Sequence, residues 1–250
     1  MSDLPGLIAT ASEAARTAGE FLATRFADAR IVTEMRRDVK LSEDSEAEAI
    51  IVERLRQTGL PILAEESAEM TNALDLDLVW IVDPLDGSYN YNRGFDRCVV
   101  AIGLLAKGKP VGGVIFDFLR NDLLAGGPGF GAKCNDQPMR VSGVSEAANA
   151  ALVTGLPANR DFSGPSMAEF SHQLARYKKV RMLGSAASSL ALVARGIFDV
   201  YHEQDIMLWD VAAGAALVEA AGGAVLMQAS PRVPNAVHIT AASHQALLPA

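Results

Sequence analysis

The first sixty residues place their apolar positions at the spacing of helices. Apolar residues recur every three or four positions over residues 4–29, which predicts an amphipathic helix, and again over residues 43–57, where Gly59 ends the pattern. The segment between them, residues 30–41, includes Arg36, Arg37 and Asp38 and follows neither the helical nor the strand period. We therefore expect two helices joined by an irregular segment.

Short apolar runs bounded by turn residues come next and predict strands. They cover residues 61–64, 78–82, 98–106, 111–116 and 123–125. The run at 78–82 should stop at Asp83, because Pro84 cannot donate a hydrogen bond to a sheet. Residues 1–142 are therefore predicted to form an N-terminal α+β subdomain with a largely antiparallel sheet.

From residue 143 onward, strand and helix patterns alternate. Strands are predicted at residues 151–154, 180–183, 198–202, 224–227 and 237–241, and helices at 167–176, 186–194 and 211–221. Such alternation is typical of an α/β sheet. We expect residues 143–250 to form a second subdomain that packs tightly on the first and completes the site.

Composition narrows the choice of partners. The chain has 250 residues, of which 50% are hydrophobic, so it can bury a full core. A net charge of −8 argues against a nucleic acid or an anionic membrane as partner. We find no signal-peptide pattern and no apolar run near the ~20 residues of a membrane span. With Cys98 and Cys134 expected to be reduced, we predict a cytoplasmic protein that binds a small molecule.

Carboxylates fall at the ends of the predicted elements. Glu66 follows one strand, Asp83 follows another with Asp86 three residues later, and Asp44 and Asp210 stand near helix starts. The last two also fit ordinary residues that complement a helix dipole. Together the set offers hard oxygen donors with no competing Cys or His, and such donors suit Mg²⁺.

Two glycine–hydroxyl turns lie where an anion could bind. Gly87-Ser88 follows the aspartate pair, and Gly184-Ser185-Ala186 follows a predicted strand. Helix starts of this kind expose N–H groups that can hold a phosphate, although most such turns are ordinary N-caps. Together with carboxylates that would hold two metal ions, these turns indicate phosphoryl transfer to water. One ion would activate the water and the other would neutralise the leaving oxygen.

Other chemistries fit the motifs poorly. The four histidines do not show zinc-binding spacing. We find neither a Gly-x-Ser-x-Gly nucleophile elbow nor a Walker A loop. The spacing of Asp83 and Asp86 is Asp-x-x-Asp rather than Asp-x-Asp, which favours metal-activated water over an aspartyl phosphate intermediate.

Three motifs resemble a known family. Asp83-Pro84-Leu85-Asp86-Gly87-Ser88 resembles the Asp-Pro-(Ile/Leu)-Asp-Gly-Thr signature of the inositol monophosphatase family, which comprises Mg²⁺-dependent, lithium-sensitive phosphatases. Glu65-Glu66-Ser67 and Trp209-Asp210-Val211-Ala212-Ala213-Gly214 resemble two further motifs of that family, in the same order. The resemblance implies an αβαβα layered sandwich of the inositol monophosphatase and fructose-1,6-bisphosphatase type, usually dimeric. It also implies hydrolysis of a small polyol or sugar phosphate such as inositol-1-phosphate.

The resemblance also implies roles for individual residues. Two or three Mg²⁺ ions would be bound by Glu66, Asp83, the carbonyl of Leu85, Asp86 and Asp210. Ser88, with Asp44, would polarise the attacking water, which Glu66 would also help to activate. The implied contacts to substrate are Asp86, Gly87, Ser88, Gly184, Ser185, Ala186, Glu203 and Asp210.

Several substrates stay open at this stage. A 3′(2′),5′-bisphosphate nucleotide, fructose-1,6-bisphosphate and histidinol phosphate are handled by enzymes of the same superfamily. The first two need a basic or aromatic subsite, for which the candidates are Arg93, Arg97, Lys178, Lys179 and Arg181. Asp205 and Met207 differ from the glycine and histidine of human-type relatives at the border of the substrate pocket. A non-catalytic phosphate-ligand binder is the alternative from another class.

Overall fold

The chain folds into two β-sheets and a short hairpin, with helices between and outside the sheets. This computed structural model describes residues 3–28, 30–35, 38–67, 72–158 and 160–249. The helices are α1 (Leu4–Ala23), α2 (Ser42–Arg56), α3 (Ser88–Asn92), α4 (Gly164–Leu174), α5 (Ala186–Ala194) and α6 (Leu208–Ala220). The strands are β1 (Ile31–Met35), β2 (Asp38–Leu41), β3 (Ile62–Ala64), β4 (Val79–Asp86), β5 (Val99–Ala106), β6 (Lys109–Asp117), β7 (Asp122–Gly127), β8 (Gly131–Cys134), β9 (Gln137–Pro138), β10 (Ala151–Thr154), β11 (Lys179–Met182), β12 (Val200–Met207), β13 (Ala224–Ala229) and β14 (Ala236–Ala242).

The first sheet contains β3 to β9 in sequence order, and it is antiparallel except for the parallel pair β3–β4. Successive side chains of a strand point to opposite faces. On β4, Trp80 and Val82 pack in the cluster that includes Leu22 of α1 and Ile51 of α2. Ile81 packs instead in the cluster formed with α5 and α6. The sheet is therefore covered by helices on both faces.

The second sheet has the strand order β11-β10-β12-β14-β13. β10 is parallel to β11 and β12, as alternating strands and helices predict. β14 is antiparallel to both of its neighbours, and no helix separates it from β13 in the chain. Ile239 of this sheet shares a core cluster with α5, α6 and Ile81, whereas Leu174 of α4 packs on the other face with Leu152. The layers run helix, sheet, helix, sheet, helix, which confirms the predicted fold class.

Two local predictions were wrong. Residues 31–35 and 38–41 pair as an antiparallel hairpin instead of forming an irregular segment, and Arg36 and Arg37 lie outside the described residues. β4 does not stop at Asp83 but runs to Asp86. Its pairing with β5 breaks between Asp83 and Asp86, so Pro84 falls where the ladder needs no N–H donor.

The connection between the sheets runs from Pro138, at the end of β9, to Ala151, at the start of β10. The division into subdomains 1–142 and 143–250 falls on this connection and stays a prediction. Within the part of the chain that the structure describes, every helix is too short or too polar to span a membrane.

Candidate active site

A cavity of about 1520 Å³ opens where the two sheets meet α3, α5 and α6. Most of the residues predicted for the site line it. They come from the end of β4, the start of α3, the loop before α5, β12 and α6: Asp83, Leu85, Asp86, Gly87, Ser88, Gly184, Ser185, Ala186, Glu203 and Asp210. Asp44 and Glu66 are not part of the cavity wall. The fold thus gathers residues that lie far apart in the sequence.

Three carboxylates form the tightest cluster in this cavity. Glu65, Asp83 and Asp210 each place a carboxylate oxygen within 4.8 Å of the others. Asp83 is buried near the end of β4, and its Oδ1 accepts a hydrogen bond from the Leu85 amide at 2.9 Å. Asp210 lies in the first turn of α6, so that helix brings the third carboxylate to the strand ends.

The cluster contains Glu65 and not Glu66, which the sequence analysis had predicted as a ligand. The Glu65 amide continues the β3–β4 ladder by donating to the Val82 carbonyl at 3.1 Å. Glu65 therefore shares the face of Asp83, toward α6, and Glu66 points the other way. The Glu66 carboxylate accepts a hydrogen bond from Lys40 at 2.9 Å. The sequence did not separate the two glutamates, because the register of β3 on β4 is what places the odd-numbered positions of both strands on one face.

Burial and mutual repulsion disfavour the ionised forms of these acids. Burial raises the pKa of Glu65 to about 8, and the charges of Glu66 and Asp44 act in the same direction. The pKa of Asp83 lies well above its usual range, because of burial and then the charges of Glu65, Asp86 and Asp210. The pKa of Asp210 is also raised well above its usual range, by burial and then by the charges of Asp86 and Glu65. A bound cation would remove this penalty.

The donor set fits a hard divalent cation. Every group in the cluster is a carboxylate, and oxygen ligands of this kind suit Mg²⁺, Mn²⁺ or Ca²⁺ rather than the softer metals bound by thiolates. The distances between the three side chains are short enough for one ion to contact all of them. The residues present therefore fit the metal dependence that the sequence predicts.

Asp86 lies beside the cluster and is held by the start of α5. Its Oδ2 accepts hydrogen bonds from the Ser185 hydroxyl at 2.5 Å and the Ala187 amide at 2.6 Å, and the Ala186 amide lies 3.3 Å from Oδ1. Burial raises the pKa of Asp86 to about 6, and these donors act against the rise. The predicted anion site at Gly184-Ser185-Ala186 is thus occupied by a carboxylate of the chain itself.

Ser88 links the cavity to Asp44. The Ser88 hydroxyl lies 3.0 Å from Asp44 Oδ1 and 2.9 Å from the Leu85 carbonyl. The other oxygen of Asp44 accepts from the Leu41 amide at 2.7 Å, which fixes the carboxylate at the start of α2. The preceding Gly87 has a φ of 90°, and a Cβ there would lie 2.6 Å from the Arg97 carbonyl, so this turn requires glycine.

β12 supplies another wall of the cavity. Glu203 is buried there, and burial followed by the charge of Asp86 raises its pKa to about 8. The pairing of β12 with β14 breaks between Glu203 and Ile206, and Asp205 within this break has a φ of 57°. Asp205 accepts a hydrogen bond from Ser230 at 2.6 Å and pairs with Arg232 at 3.2 Å.

The basic residues of the cavity differ from those expected. Among the described residues, the wall contains Lys40, Arg160 and Arg232 and none of the five candidates proposed from the sequence. Arg160 was missed because it lies beyond β10 with no nearby motif. Asn90 was also missed; its side-chain amide donates to the carbonyls of Arg97 and Leu183, both at 2.8 Å, and so ties α3 to the loop before α5.

Comparison with known proteins gives concordant matches. The model of the inositol monophosphatase family matches residues 3–250. An inositol-1-monophosphatase of Synechocystis is 34% identical over 232 residues, which cover 90% of this chain and 79% of that protein. A protein of Xylella fastidiosa named Nus factor SuhB is 37% identical over 219 residues, covering 85% and 78% of the two chains.

Solved structures agree with these matches. The inositol monophosphatase from Anabaena superposes with a TM-score of 0.82 at 36% identity, over 97% of this chain and 92% of that one. The extragenic suppressor protein SuhB from Bartonella henselae superposes with a TM-score of 0.83 at 30% identity, over 97% and 95%. The likeness therefore extends over nearly the whole chain and includes the elements that form the cavity.

Proposed function

The chain belongs to the inositol monophosphatase family and is a phosphoric monoester hydrolase, and from that starting point we propose that it hydrolyses a small polyol or sugar phosphate with Mg²⁺. The observation that supports the cofactor and the site is the cluster of Glu65, Asp83 and Asp210 in a cavity that can hold such an ester. Inositol-1-phosphate is the reference substrate, because two of the relatives are named for that activity.

The proposed ligands differ from the sequence prediction at one position. Glu65 takes the place of Glu66, and the set is completed by Asp83, Asp86, Asp210 and the carbonyl of Leu85, for two or three ions. These residues would hold ions that supply a lowered pKa to a bound water molecule and neutralise charge on the leaving oxygen. The remaining chemistry falls to the residues that orient water and phosphate.

Ser88 and Asp44 are proposed to orient the attacking water. When the Ser88 hydroxyl donates its proton to Asp44, its lone pairs can accept a hydrogen bond from water in the cavity. Burial, opposed by the Leu41 amide and Ser88, raises the pKa of Asp44 to about 7, which suits a group that takes up a proton near neutral pH. The amides of Gly87 and Ser88 are proposed to bind the phosphate.

The experiment is a phosphate-release assay on a panel of phosphate esters that includes inositol-1-phosphate and histidinol phosphate. We expect turnover with Mg²⁺, its loss in EDTA, and its return when Mg²⁺ is added in excess. Asp83→Asn should abolish turnover, whereas Asp77→Asn, the same change at an exposed aspartate paired with Lys107, should not. Absence of Mg²⁺-dependent turnover across the panel would overturn the proposal.

Membership of the family argues against the non-catalytic binder that the sequence analysis left open. Such a binder would hold esters tightly without releasing phosphate, so equilibrium binding measured beside turnover separates the two. We further propose a cytoplasmic homodimer whose partner is a small phosphate ester rather than a nucleic acid or a membrane, in keeping with the net charge of −8. Light scattering of the purified chain tests the dimer, and a monomeric mass would contradict it.

A further inference from the structure

Asn90 is a buried polar residue to which the proposed function assigns no role. It lies in α3, two positions after Ser88, and is 8% exposed. Its side-chain amide donates hydrogen bonds to the carbonyl oxygens of Arg97 and Leu183, each at 2.8 Å, and lies 3.2 Å from that of Gly184. Both N–H donors of the amide are therefore committed to backbone carbonyls of other segments. The side chain joins α3 to the loop before α5.

The loop that Asn90 holds leads directly into α5. Gly184 has a φ of 72°, and a Cβ there would lie 3.2 Å from both the Nδ2 and the Oδ1 atoms of Asn90. The carboxamide therefore packs closely against the turn. One residue later, Ser185 is the N-cap of α5, and its Oγ accepts a hydrogen bond from the Ser188 amide at 3.2 Å. Contacts that fix this turn therefore also fix the position at which α5 begins.

The α5 start, which comprises Ser185, Ala186 and Ala187, holds the carboxylate of Asp86. The Ser185 hydroxyl and the Ala187 amide donate to Oδ2 of Asp86 at 2.5 and 2.6 Å, and the Ala186 amide lies 3.3 Å from Oδ1. Asp86 ends β4 in the first sheet, whereas α5 follows β11 of the second sheet. Because Asp86 and Ser185 are buried, a shift of α5 would leave the carboxylate oxygens without these donors. The orientation of Asp86 therefore depends on where α5 begins.

We propose that Asn90 is a positioning residue for metal binding: it sets the place of the α5 start, and the α5 start sets the orientation of Asp86. The proposal rests on the proposed function, in which Asp86 is a metal ligand, and it adds a residue that lies outside the cavity wall. Hydrogen-bonding groups that orient a metal ligand typically change metal affinity by about 10- to 100-fold when they are removed. Asn90 acts one contact further away, through the backbone of the loop before α5.

The test measures Mn²⁺ binding in the absence of substrate, from the electron paramagnetic resonance signal of the free ion. Asn90→Ala should raise the Kd for Mn²⁺ by about 10-fold or more. Asn135→Ala is the matched control, because the Asn135 amide also donates to a backbone carbonyl, that of Asn121 at 3.0 Å, in a turn that does not line the cavity. Both changes should lower the Tm, and only Asn90→Ala should weaken Mn²⁺ binding.

A double-mutant cycle with Ser185→Ala tests the route from Asn90 to Asp86. Ser185→Ala removes a hydroxyl that donates to Asp86 and should weaken Mn²⁺ binding by itself. Two independent changes would multiply their losses of affinity, whereas an effect through the α5 start predicts a combined loss at least about threefold smaller than that product. Gly184→Ala disturbs the same link from the other side, since its Cβ would press on the Asn90 amide. It should also weaken Mn²⁺ binding, which keeps the test valid if Asn90→Ala does not fold.

Contrary results are distinct from one another. Unchanged Mn²⁺ affinity in Asn90→Ala or in Gly184→Ala, beside a wild-type protein that binds Mn²⁺ and releases phosphate, would overturn the role of Asn90 alone. An equal loss of affinity in Asn135→Ala would reduce the effect to general stability and overturn that role too, as would fully multiplicative losses in the cycle. A wild-type protein that neither binds Mn²⁺ nor releases phosphate would overturn the proposed function, and this inference with it.

Discussion

Two variants that each replace one of the adjacent glutamates, Glu65 and Glu66, test the geometry of the acid cluster most directly. Glu65→Gln and Glu66→Gln remove the same charge and keep the same shape. Glu65 lies within 4.8 Å of Asp83 and Asp210, whereas Glu66 pairs with Lys40. The strand faces predict that only the first change affects the metal, although the sequence motif alone does not separate the two glutamates.

The distances set the expected size of the effect on stability. Two unit charges 4.8 Å apart repel each other by about 3 kcal/mol at an effective dielectric constant of about 20. Without a cation, Glu65→Gln should therefore raise the free energy of unfolding by about 1–3 kcal/mol at a pH above 8, where Glu65 ionises. Glu66→Gln loses one partly exposed ion pair and should lower it by about 0–1 kcal/mol.

Glu65→Gln should lower the activity, although it should make the metal-free protein more stable. Loss of a ligand predicts that Glu65→Gln lowers kcat/KM by about 100-fold or more and needs more Mg²⁺ for half-maximal rate. Glu66→Gln should stay within about threefold of the wild type. The assays are phosphate release across a Mg²⁺ titration and thermal melting in EDTA at pH 8.5.

Two activity results would refute this reasoning, and so would one stability result. One is an equal or larger loss of activity in Glu66→Gln, which would mean that the face assignment of β3 is wrong. The other is a Glu65→Gln variant that keeps its Mg²⁺ dependence, which would place the ion elsewhere. A variant that is both less active and less stable in EDTA would also contradict the account, because relief of repulsion must stabilise the metal-free fold.

Three further predictions concern pH, the water relay and helix packing. Because the folded-state pKa of Glu65 is raised to about 8 from 4.5, folding takes up protons between these pH values, so in EDTA the Tm should fall as the pH rises from 5 to 8. Mg²⁺ should raise the Tm more at pH 8 than at pH 5, and an equal rise at both pH values would contradict this prediction. Ser88→Ala should lower kcat by about 10- to 100-fold while Ser88→Thr, which keeps the hydroxyl, stays near wild type in the same assay; equal losses would exclude the hydroxyl role. Gly113→Ala would put a Cβ 2.2 Å from the Ala213 carbonyl oxygen and should lower the Tm by about 3–10 °C. Gly112→Ala would place its Cβ against the flexible end of the Ile8 side chain and should lower the Tm less, which calorimetry can measure.

Much of the fold follows from local patterns. The strand before Asp83, the helix that begins near Asp210 and the alternation after residue 143 were all predicted from hydrophobic periodicity and turn residues, and the layered sandwich was predicted from the family resemblance. The hairpin at residues 31–41 and the extension of β4 past Pro84 were not predicted. Both depend on pairing with a neighbouring strand, which local propensity does not encode.

The sequence by itself determined the chemistry: a set of hard oxygen donors at element ends, the absence of competing motifs, and the family to which the chain belongs. Only the tertiary structure decided which donors meet. Side chains alternate along a strand, so the choice between Glu65 and Glu66 depends on which face of the sheet α6 covers. The amide at the start of α5 that donates a hydrogen bond to Asp86 belongs to a residue about a hundred positions later in the sequence. Arg160 stands out only because folding buries its Nε and Nη1 with no hydrogen-bond partner among the described residues, a condition that the sequence cannot express.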